Sequence, residues 1–289
     1  MNIRTFLSLA LALGVSACIS LQVAFSSSAP KPAAEPNFKV VLTSEVKWEP
    51  LNPARGDKSP MAGTLWGDRT GPGPSGFLLK PVDGFKSPPH IHNTIYRGVV
   101  ISGTIHNDDP NAEEMYMPTG SFWTQPAGGV HITAAKGSNT IAYIEVEDTF
   151  GVLPPEKAFY SKDKPINVDA SNIVWIDQPG MLASADGPKV AFLWGNPQDN
   201  QLNGTLVKLP AGFTGKIRSH GLTLRAVAIQ GRPKHRVPGK VDVKTMEPGS
   251  YFSSKGESVH QVSCEGGEEC IMYVRMKGKF DVISTQSKK

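Results

Sequence analysis

Residues 84–103 read GFKSPPHIHNTIYRGVVISG, and residues 120–131 read GSFWTQPAGGVH. His90 and His92 lie two positions apart, between a Pro-Pro pair and a β-branched run. Because alternate residues of a strand point to the same face, their imidazoles should face the same way. His131 follows a Pro-Ala-Gly-Gly turn and begins another strand-like run. Three neutral imidazoles on neighbouring strands indicate a site for a divalent metal ion. The alternative is that all three are hydrogen-bonded residues of a protein interior.

The composition of the 289 residues favours short strands. With 29 Gly and 24 Pro, the chain has many turn signals. Short runs such as 98–101, 140–146, 222–229 and 271–276 are bounded by turn residues, which is typical of strands. No long stretch combines helical periodicity with caps at both ends. An all-β fold is therefore predicted.

The net charge and the motifs that the sequence lacks exclude some classes of partner and catalytic site. A formal net charge of +4 without a long basic run gives no reason to expect nucleic acid. The basic cluster at 232–240 (RPKHRVPGK) is interpreted as a solvated loop. The sequence has no G-x-S-x-G elbow, phosphate-binding loop or H-E-x-x-H helix. A small-molecule ligand or substrate is the expected partner, and a homodimer is left open.

Residues 1–29 carry the features of an export signal, with a positive charge, an apolar run and then small residues. Three alternatives for the processing of this segment remain open. Residues 15–18 (VSAC) resemble a bacterial lipobox, which would place a lipid on Cys18. Cleavage after Ala29 would instead release the chain, and residues 6–25 approach the ~20 residues that span a membrane. The protein is therefore predicted to be exported and periplasmic, secreted or lipid-anchored to the cell envelope.

Cys264 and Cys270 are the cysteines that remain besides Cys18. They flank the sequence EGGEE between two strand-like runs, so they should face each other across a hairpin. An oxidising compartment would permit a disulfide between them. The alternative is two small, buried, reduced side chains. Neither has an evident histidine partner, which argues against thiol catalysis.

Short matches recur at an almost constant offset along the chain, which indicates a tandem duplication. The matched segments are Ser44/Ser171, Trp48/Trp175, Leu65-Trp66-Gly67/Leu193-Trp194-Gly195, Gly84-Phe85/Gly212-Phe213, His92/His220, Gly103/Gly231, Gly120-Ser121/Gly249-Ser250 and His131/His260. The predicted organisation is a linker at 30–37, a first unit at 38–152, a second linker at 153–165 and a second unit at 166–285. Two all-β units of this size imply jelly-roll barrels.

The motifs carry a family resemblance. Residues 84–103 resemble the first cupin motif, G-x5-H-x-H-x3-E-x6-G, and residues 120–135 resemble the second, G-x5-P-x-G-x2-H-x3-N. In a duplicated chain this pattern resembles bicupins, and the whole chain is similar to an exported bacterial cupin-like family of uncharacterised function. The resemblance implies an all-β fold of two tandem cupin barrels, also described as double-stranded β-helices or jelly rolls.

The resemblance implies that the metal ligands are His90, His92 and His131. The motif glutamate, the usual fourth ligand, is Tyr96 here, and the motif asparagine is Ala135. One divalent metal ion is therefore expected, with Fe, Mn, Zn, Ni and Cu all open. Since no carboxylate offsets its charge, such an ion should favour an anionic ligand or hydroxide at an open position.

The second unit departs further from the motifs. Arg218 occupies the place of His90, whereas His220 and His260 are retained. Two histidines beside an arginine make a poor cation site. The second unit is therefore predicted to be structural or to contain a metal-free pocket.

Several polar residues are candidates for roles near the metal. Tyr96 should face the histidines as a weak fourth ligand, a general acid or base, or a hydrogen-bonding neighbour, unless it is an aromatic filling the barrel. Glu145 shares a strand face with Tyr143, so it would orient a ligand histidine if that face points inward and be solvated otherwise. Gln125 is a similar polar candidate. His106 is interpreted as a surface residue, and the five tryptophans as packing residues.

Two functions from different classes follow. The first is a metal-dependent enzyme of the dioxygenase, isomerase or lyase type, acting on a small oxygenated or anionic molecule. The second is a non-catalytic metal- or ligand-binding or sensory module. The missing carboxylate ligand favours the second, while the complete set of three histidines favours the first.

Overall fold

The computed structural model describes residues 37–179, 186–197, 200–220, 222–237, 239 and 241–285. The predicted export signal, including Cys18, lies outside these residues, as does the 30–37 linker apart from its last position. Within the described ranges, no helix has the length and apolar character needed to cross a membrane.

The described chain is all-β, as predicted. Its strands are β1 Phe38–Val41, β2 Glu49–Pro50, β3 Met61–Trp66, β4 Ser75–Lys80, β5 Ile91–His92, β6 Tyr96–Asp108, β7 Phe122–Gln125, β8 Ile132–Val146, β9 Val152–Leu153, β10 Ile166–Val168, β11 Ile176–Asp177, β12 Lys189–Trp194, β13 Leu202–Leu209, β14 Thr214–Ser219, β15 Thr223–Gln230, β16 Lys234–Arg236, β17 Val243–Thr245, β18 Tyr251–Lys255, β19 Ser258–Ser263, β20 Cys270–Lys277 and β21 Phe280–Ser284. The described helical segments are short 3-10 turns at Thr43–Glu45, Pro53–Lys58, Pro155–Lys157 and Ala170–Asn172.

Two seven-stranded antiparallel sheets contain most of these strands. One has the order β10-β7-β6-β8-β4-β3-β2, and the other has the order β1-β18-β15-β20-β13-β12-β11. Strands from matched sequence segments occupy matching positions, as β3 and β12 do. A five-stranded sheet, β17-β16-β19-β14-β21, and the pair β5-β9 complete the described sheets. Their pairing gives open sheets rather than the closed barrels expected from the sequence.

Each seven-stranded sheet ends in a strand from the opposite half of the chain. Strand β1 pairs with β18, with Phe38 opposite Ser254, and strand β10 pairs with β7, with Asn167 opposite Trp123. These ladders join the first predicted unit, 38–152, to the second, 166–285. Each seven-stranded sheet is therefore completed by the first strand of the other half.

Three apolar clusters form the core. Residues of both halves share one of them, which includes Leu65 and Tyr143 together with Leu206 and Tyr273. A second cluster lies within the first half, around Phe77 and its neighbours, and a third lies within the second half. The first-half cluster includes Tyr96, whose ring contacts one of the histidines described below.

A buried ion pair lies within the shared core. The Glu145 carboxylate accepts hydrogen bonds from the Tyr273 hydroxyl at 2.8 Å and from Arg275 Nη1 at 3.2 Å. Arg275 also donates to both oxygens of Glu147, at 3.1 and 2.9 Å. The Tyr143 hydroxyl lies 3.3 Å from the second oxygen of Glu145. Because its buried oxygens are bonded, the charge of Glu145 is compensated where water is excluded.

Cys264 and Cys270 form a disulfide, with their Cα atoms 5.8 Å apart. Both side chains are buried. Of the two alternatives left open by the sequence, the structure therefore has the bonded pair.

Candidate metal centre

Backbone pairing brings the first and third histidines together. His90 and His131 form an isolated antiparallel bridge, and each amide donates to the carbonyl of the other at 3.0 Å. Side chains directly opposite each other across such a pair lie on the same face. His92 follows in β5, two positions after His90, and shares that face. The rings of His90 and His131 are accordingly 4.3 Å apart between centroids.

The hydrogen bonds of the three rings leave one nitrogen of each available for a metal. Each Nδ1 faces a backbone carbonyl: His90 that of Pro88 at 2.9 Å, His92 that of Gly151 at 2.8 Å, and His131 that of Gly129 at 3.0 Å. A carbonyl only accepts, so Nδ1 carries the proton in each neutral ring and Nε2 carries the lone pair. One ligand nitrogen from each ring lies within 4.8 Å of the others, and no second such cluster occurs in the described ranges.

Burial keeps the three imidazoles neutral. It lowers the pKa of His90, and it lowers the pKa of His131 to about 3, with the charge of His90 adding to the effect. Burial, and then the charges of His131 and His90, hold the pKa of His92 well below its ordinary value. Neutral imidazole is the form that binds a metal ion. The donor set therefore fits a divalent cation, since the three rings are neutral and one nitrogen of each lies within 4.8 Å of the others.

Tyr96 lies beside the histidines, as the spacing predicted. Its hydroxyl donates to Asn107 Oδ1 at 2.6 Å, and its oxygen lies 3.2 Å from His131 Nε2. Burial raises the pKa of Tyr96 well above its ordinary value. The phenol is therefore protonated in the metal-free protein.

A chain of buried amides connects Tyr96 to His131 from the other side. Asn107 Nδ2 donates to Gln125 Oε1 at 3.1 Å, and Gln125 Nε2 donates to the Gly129 carbonyl at 3.1 Å. That carbonyl is also the acceptor for His131 Nδ1. The network fixes the orientation and tautomer of the ligand ring, as outer hydrogen bonds do at metal sites. Sequence analysis missed Asn107, which alternation along β6 places on the same face as Ile105.

A cavity of about 340 Å³ leads to the histidines. The ring of Phe150 stacks on His92 with centroids 4.1 Å apart. The cavity walls are mostly apolar and include Leu51, Phe77, Leu79, Phe85, Trp123, Ile144 and Val152. This volume lies at the lower end of the ~300–1,000 Å³ found for small-molecule sites.

Neither alternative for Glu145 matches the structure, because its side chain is 1% exposed and does not face a ligand histidine. Its carboxylate faces Tyr273 and Arg275 in the shared core, and backbone carbonyls hold the Nδ1 atoms of the ligand histidines. The interpretation of His106 as a surface residue is also wrong. His106 is 1% exposed, and its Nδ1 faces Met115, because β6 continues to Asp108 where a loop was expected.

The retained histidines of the second half do not form a site together. His220 is partly exposed and pairs with Asp281 at 2.6 Å. His260 is buried, and its Nδ1 lies 2.9 Å from Nε2 of His235. His260 Nε2 lies 2.9 Å from the Ser254 hydroxyl. The two retained histidines therefore have separate partners, and the expectation that the second unit is structural or contains a metal-free pocket stays a prediction.

Comparison with solved structures identifies the fold. AerE from Microcystis aeruginosa is 10% identical with a TM-score of 0.56, and the match covers 83% of this chain and 99% of that one. A formate complex of oxalate decarboxylase from Lactobacillus farciminis is 10% identical with a TM-score of 0.55, over 85% and 88%. Salicylate 1,2-dioxygenase from Pseudoaminobacter salicylatoxidans is 12% identical with a TM-score of 0.51, over 76% of each chain.

At these identities the likeness concerns the fold alone, and that fold is the cupin fold. No curated protein sequence matches the chain. A family model described as a domain of unknown function, DUF4437, matches residues 39–283. The chain therefore belongs to the DUF4437 family.

Proposed function

We propose that this protein is an exported bicupin that binds one divalent metal ion through Nε2 of His90, His92 and His131. The observation that carries the proposal is the convergence of three neutral, unprotonated nitrogens at the end of a small-molecule cavity. Residues 38–152 would form the metal-binding cupin domain, and residues 166–285 a second domain without a metal. The matching strand orders of the two seven-stranded sheets support this duplication.

The reaction we propose is of the dioxygenase, isomerase or lyase type, on a small oxygenated or anionic molecule. A bound divalent ion would supply Lewis acidity and an open position for the substrate. Imidazole ligands suit Zn, Cu, Fe and Ni, and Mn is not excluded by the donor set. The apolar walls exclude water, while Tyr96 and Asn107 hold the hydrogen-bond network next to the reacting position.

A non-catalytic metal- or ligand-binding module is the second candidate, and the state of Tyr96 favours it. Burial raises the pKa of Tyr96 in the metal-free protein, and the single proton of the phenol already bonds Asn107. Efficient acid–base catalysis needs a pKa near the working pH. If turnover occurs, Tyr96 would therefore position the substrate rather than exchange a proton with it.

Export is supported by the chemistry of the cysteines. The disulfide between Cys264 and Cys270 is of a kind that persists in oxidising compartments. It accords with an export signal at residues 1–29. A lipid anchor on Cys18, a free periplasmic protein and a secreted one are alternatives that lipid labelling and fractionation would distinguish.

Elemental analysis of the protein purified from its native compartment tests the metal proposal. We expect one divalent ion per chain in the wild type and in His220→Ala, and a large loss in His92→Ala. Absence of stoichiometric metal from the wild type would contradict both candidate functions. Bound metal without oxygen uptake or turnover on a broad panel of small acids would select the binding module.

A further inference from the structure

A second cavity, also of about 340 Å³, lies over the five-stranded sheet of the second half. We call it the basic groove, and its lining includes the polar side chains of Lys216, Lys234, Arg236, Gln261 and Glu265. In β16, His235 points to the opposite face of the sheet and is 2% exposed. Since alternate residues of a strand point to opposite faces, the basic groove lies on the outer face of this sheet.

The register of the strands places two cations on either side of one residue of the basic groove. Arg236 in β16 and Lys216 in β14 both lie opposite Gln261 in β19, the strand between them. Neighbouring strands are spaced so that these two backbone positions are roughly 10 Å apart. Both side chains are long and belong to the lining of the same groove, so both can reach a ligand that lies above Gln261.

The charges of Lys216 and Arg236 have no counter-charge from the protein. Among the described residues that line the basic groove, Glu265 is the one carboxylate, and it forms an ion pair with Lys234. No carboxylate within the described ranges forms an ion pair with Lys216 or with Arg236. The basic groove therefore has two uncompensated positive charges, which would attract a ligand with two negative charges.

Uncharged hydrogen-bonding groups complete the lining between and beside the two cations. Gln261 offers a side-chain amide between them, and Thr214 offers a hydroxyl in the next row of the same face. An arginine fork and an amide can each bond a separate oxygen of one group, while a lysine acts as a point charge. A single group with several acceptor oxygens and two negative charges would therefore satisfy this set of donors.

We propose that the basic groove binds the phosphate of a small soluble phosphomonoester, between Lys216 and Arg236 and above Gln261. Such a phosphate carries nearly two negative charges at neutral pH and has three strong acceptor oxygens, so it matches both the charge and the donors of the groove. The groove lies in the second half of the chain, and binding there requires no metal ion at His90, His92 and His131. The protein would therefore have a second ligand site, beyond its proposed function.

Titration calorimetry of the full chain tests the proposal, with methyl phosphate at about pH 8 as the probe, where it is a dianion. Methyl sulfate has the same shape with one charge, and succinate has two charges on separate groups. Methyl phosphate should bind, and each control should bind at least about threefold more weakly, because it loses part of the charge or of the oxygen contacts above Gln261. Absence of methyl phosphate binding, or equal affinity for either control, would overturn the proposal.

Matched variants locate the binding site. Lys216→Gln and Arg236→Gln should each weaken methyl phosphate binding about threefold to fivefold, since charge pairs at exposed positions are weak. Lys244→Gln is the control, because Lys244 is an exposed cation in β17 that lies opposite His235 and outside the groove lining. It should change the affinity less than about twofold. Unchanged affinity in the double variant of Lys216 and Arg236 would overturn the proposal.

Three further measurements distinguish this site from other sources of phosphate binding. Phosphate is also a ligand for metal ions, so His131→Ala should keep its affinity for methyl phosphate; loss of binding would place the probe at the histidines and overturn the proposal. In wild type the side-chain amide resonances of Gln261 should move with methyl phosphate, a readout that needs no variant to fold, and resonances that stay still would contradict the proposal. Cosedimentation with vesicles that contain phosphatidic acid, without binding of methyl phosphate, would overturn the assignment of a soluble ester.

Discussion

Replacing His131 with alanine separates the two roles that a buried histidine can have, metal ligand and structural residue. In the metal-free protein we expect a loss of about 2–3 kcal/mol, because alanine leaves a cavity where a fully buried ring stood and removes one hydrogen bond. That bond runs from Nδ1 to the Gly129 carbonyl, which still accepts from Gln125. For a chain of this size, the loss corresponds to a fall of about 4–12 °C in the unfolding midpoint.

The metal-dependent part of the stability should behave differently. At a zinc concentration one hundred times its Kd, wild-type protein should gain about 2.7 kcal/mol. This gain corresponds to roughly 5–10 °C in the unfolding midpoint. His131→Ala retains only two of the three nitrogens, so the zinc-dependent shift should disappear at the same concentration. Scanning calorimetry of chelator-treated protein, with and without zinc, measures both quantities.

His260→Ala is the matched control, because His260 is equally buried in the second half of the chain. It bonds to His235 and Ser254, so its loss should lower the midpoint of the metal-free protein without changing the zinc-dependent shift. The reasoning would be refuted if His131→Ala kept the full zinc shift. A fall of more than about 15 °C in its metal-free midpoint would likewise show that the histidine is mainly structural.

Three further predictions concern stability. Arg275→Met should cost about 3–5 kcal/mol in urea denaturation, because it leaves a buried carboxylate unpaired, whereas Lys86→Met, in an exposed pair, should change little. Lowering the pH from about 6.5 to 4 should destabilise the metal-free protein, since burial holds the pKa of His235 at about 3 while the unfolded chain binds the proton near 6.5; denaturation of His235→Asn across this range should show a smaller loss. Reducing the Cys264–Cys270 bond with dithiothreitol should cost about 2 kcal/mol and leave zinc binding unchanged.

The histidine cluster could be predicted because its information is local. His90 and His92 occupy alternate positions of one extended segment, and His131 begins the next strand-like run. The spacing also placed Tyr96 beside them, where the structure has it. The choice among the roles of Tyr96 depends on its burial and on its hydrogen bond to Asn107, and the sequence analysis had placed the region of Asn107 in a loop.

The exchange of edge strands could not be predicted because it depends on non-local pairing. Strands β1 and β10 pair with strands in the opposite half of the chain. The residues of a strand do not specify which other strand it will pair with. Alternation correctly put Tyr143 and Glu145 on one face. That this face meets Arg275 instead of a histidine follows from the packing of the two halves, which strand periodicity does not describe.

The central claim is that Nε2 atoms of three histidines form the protein part of the metal shell. X-ray absorption spectroscopy of the protein as purified from its native compartment measures that shell directly. We predict three imidazole nitrogens, at about 2.0–2.1 Å if the metal is zinc, with an imidazole scatterer lost in His131→Ala. A stoichiometric metal with fewer than three imidazoles in the wild-type shell, or a shell containing sulfur, would contradict the claim.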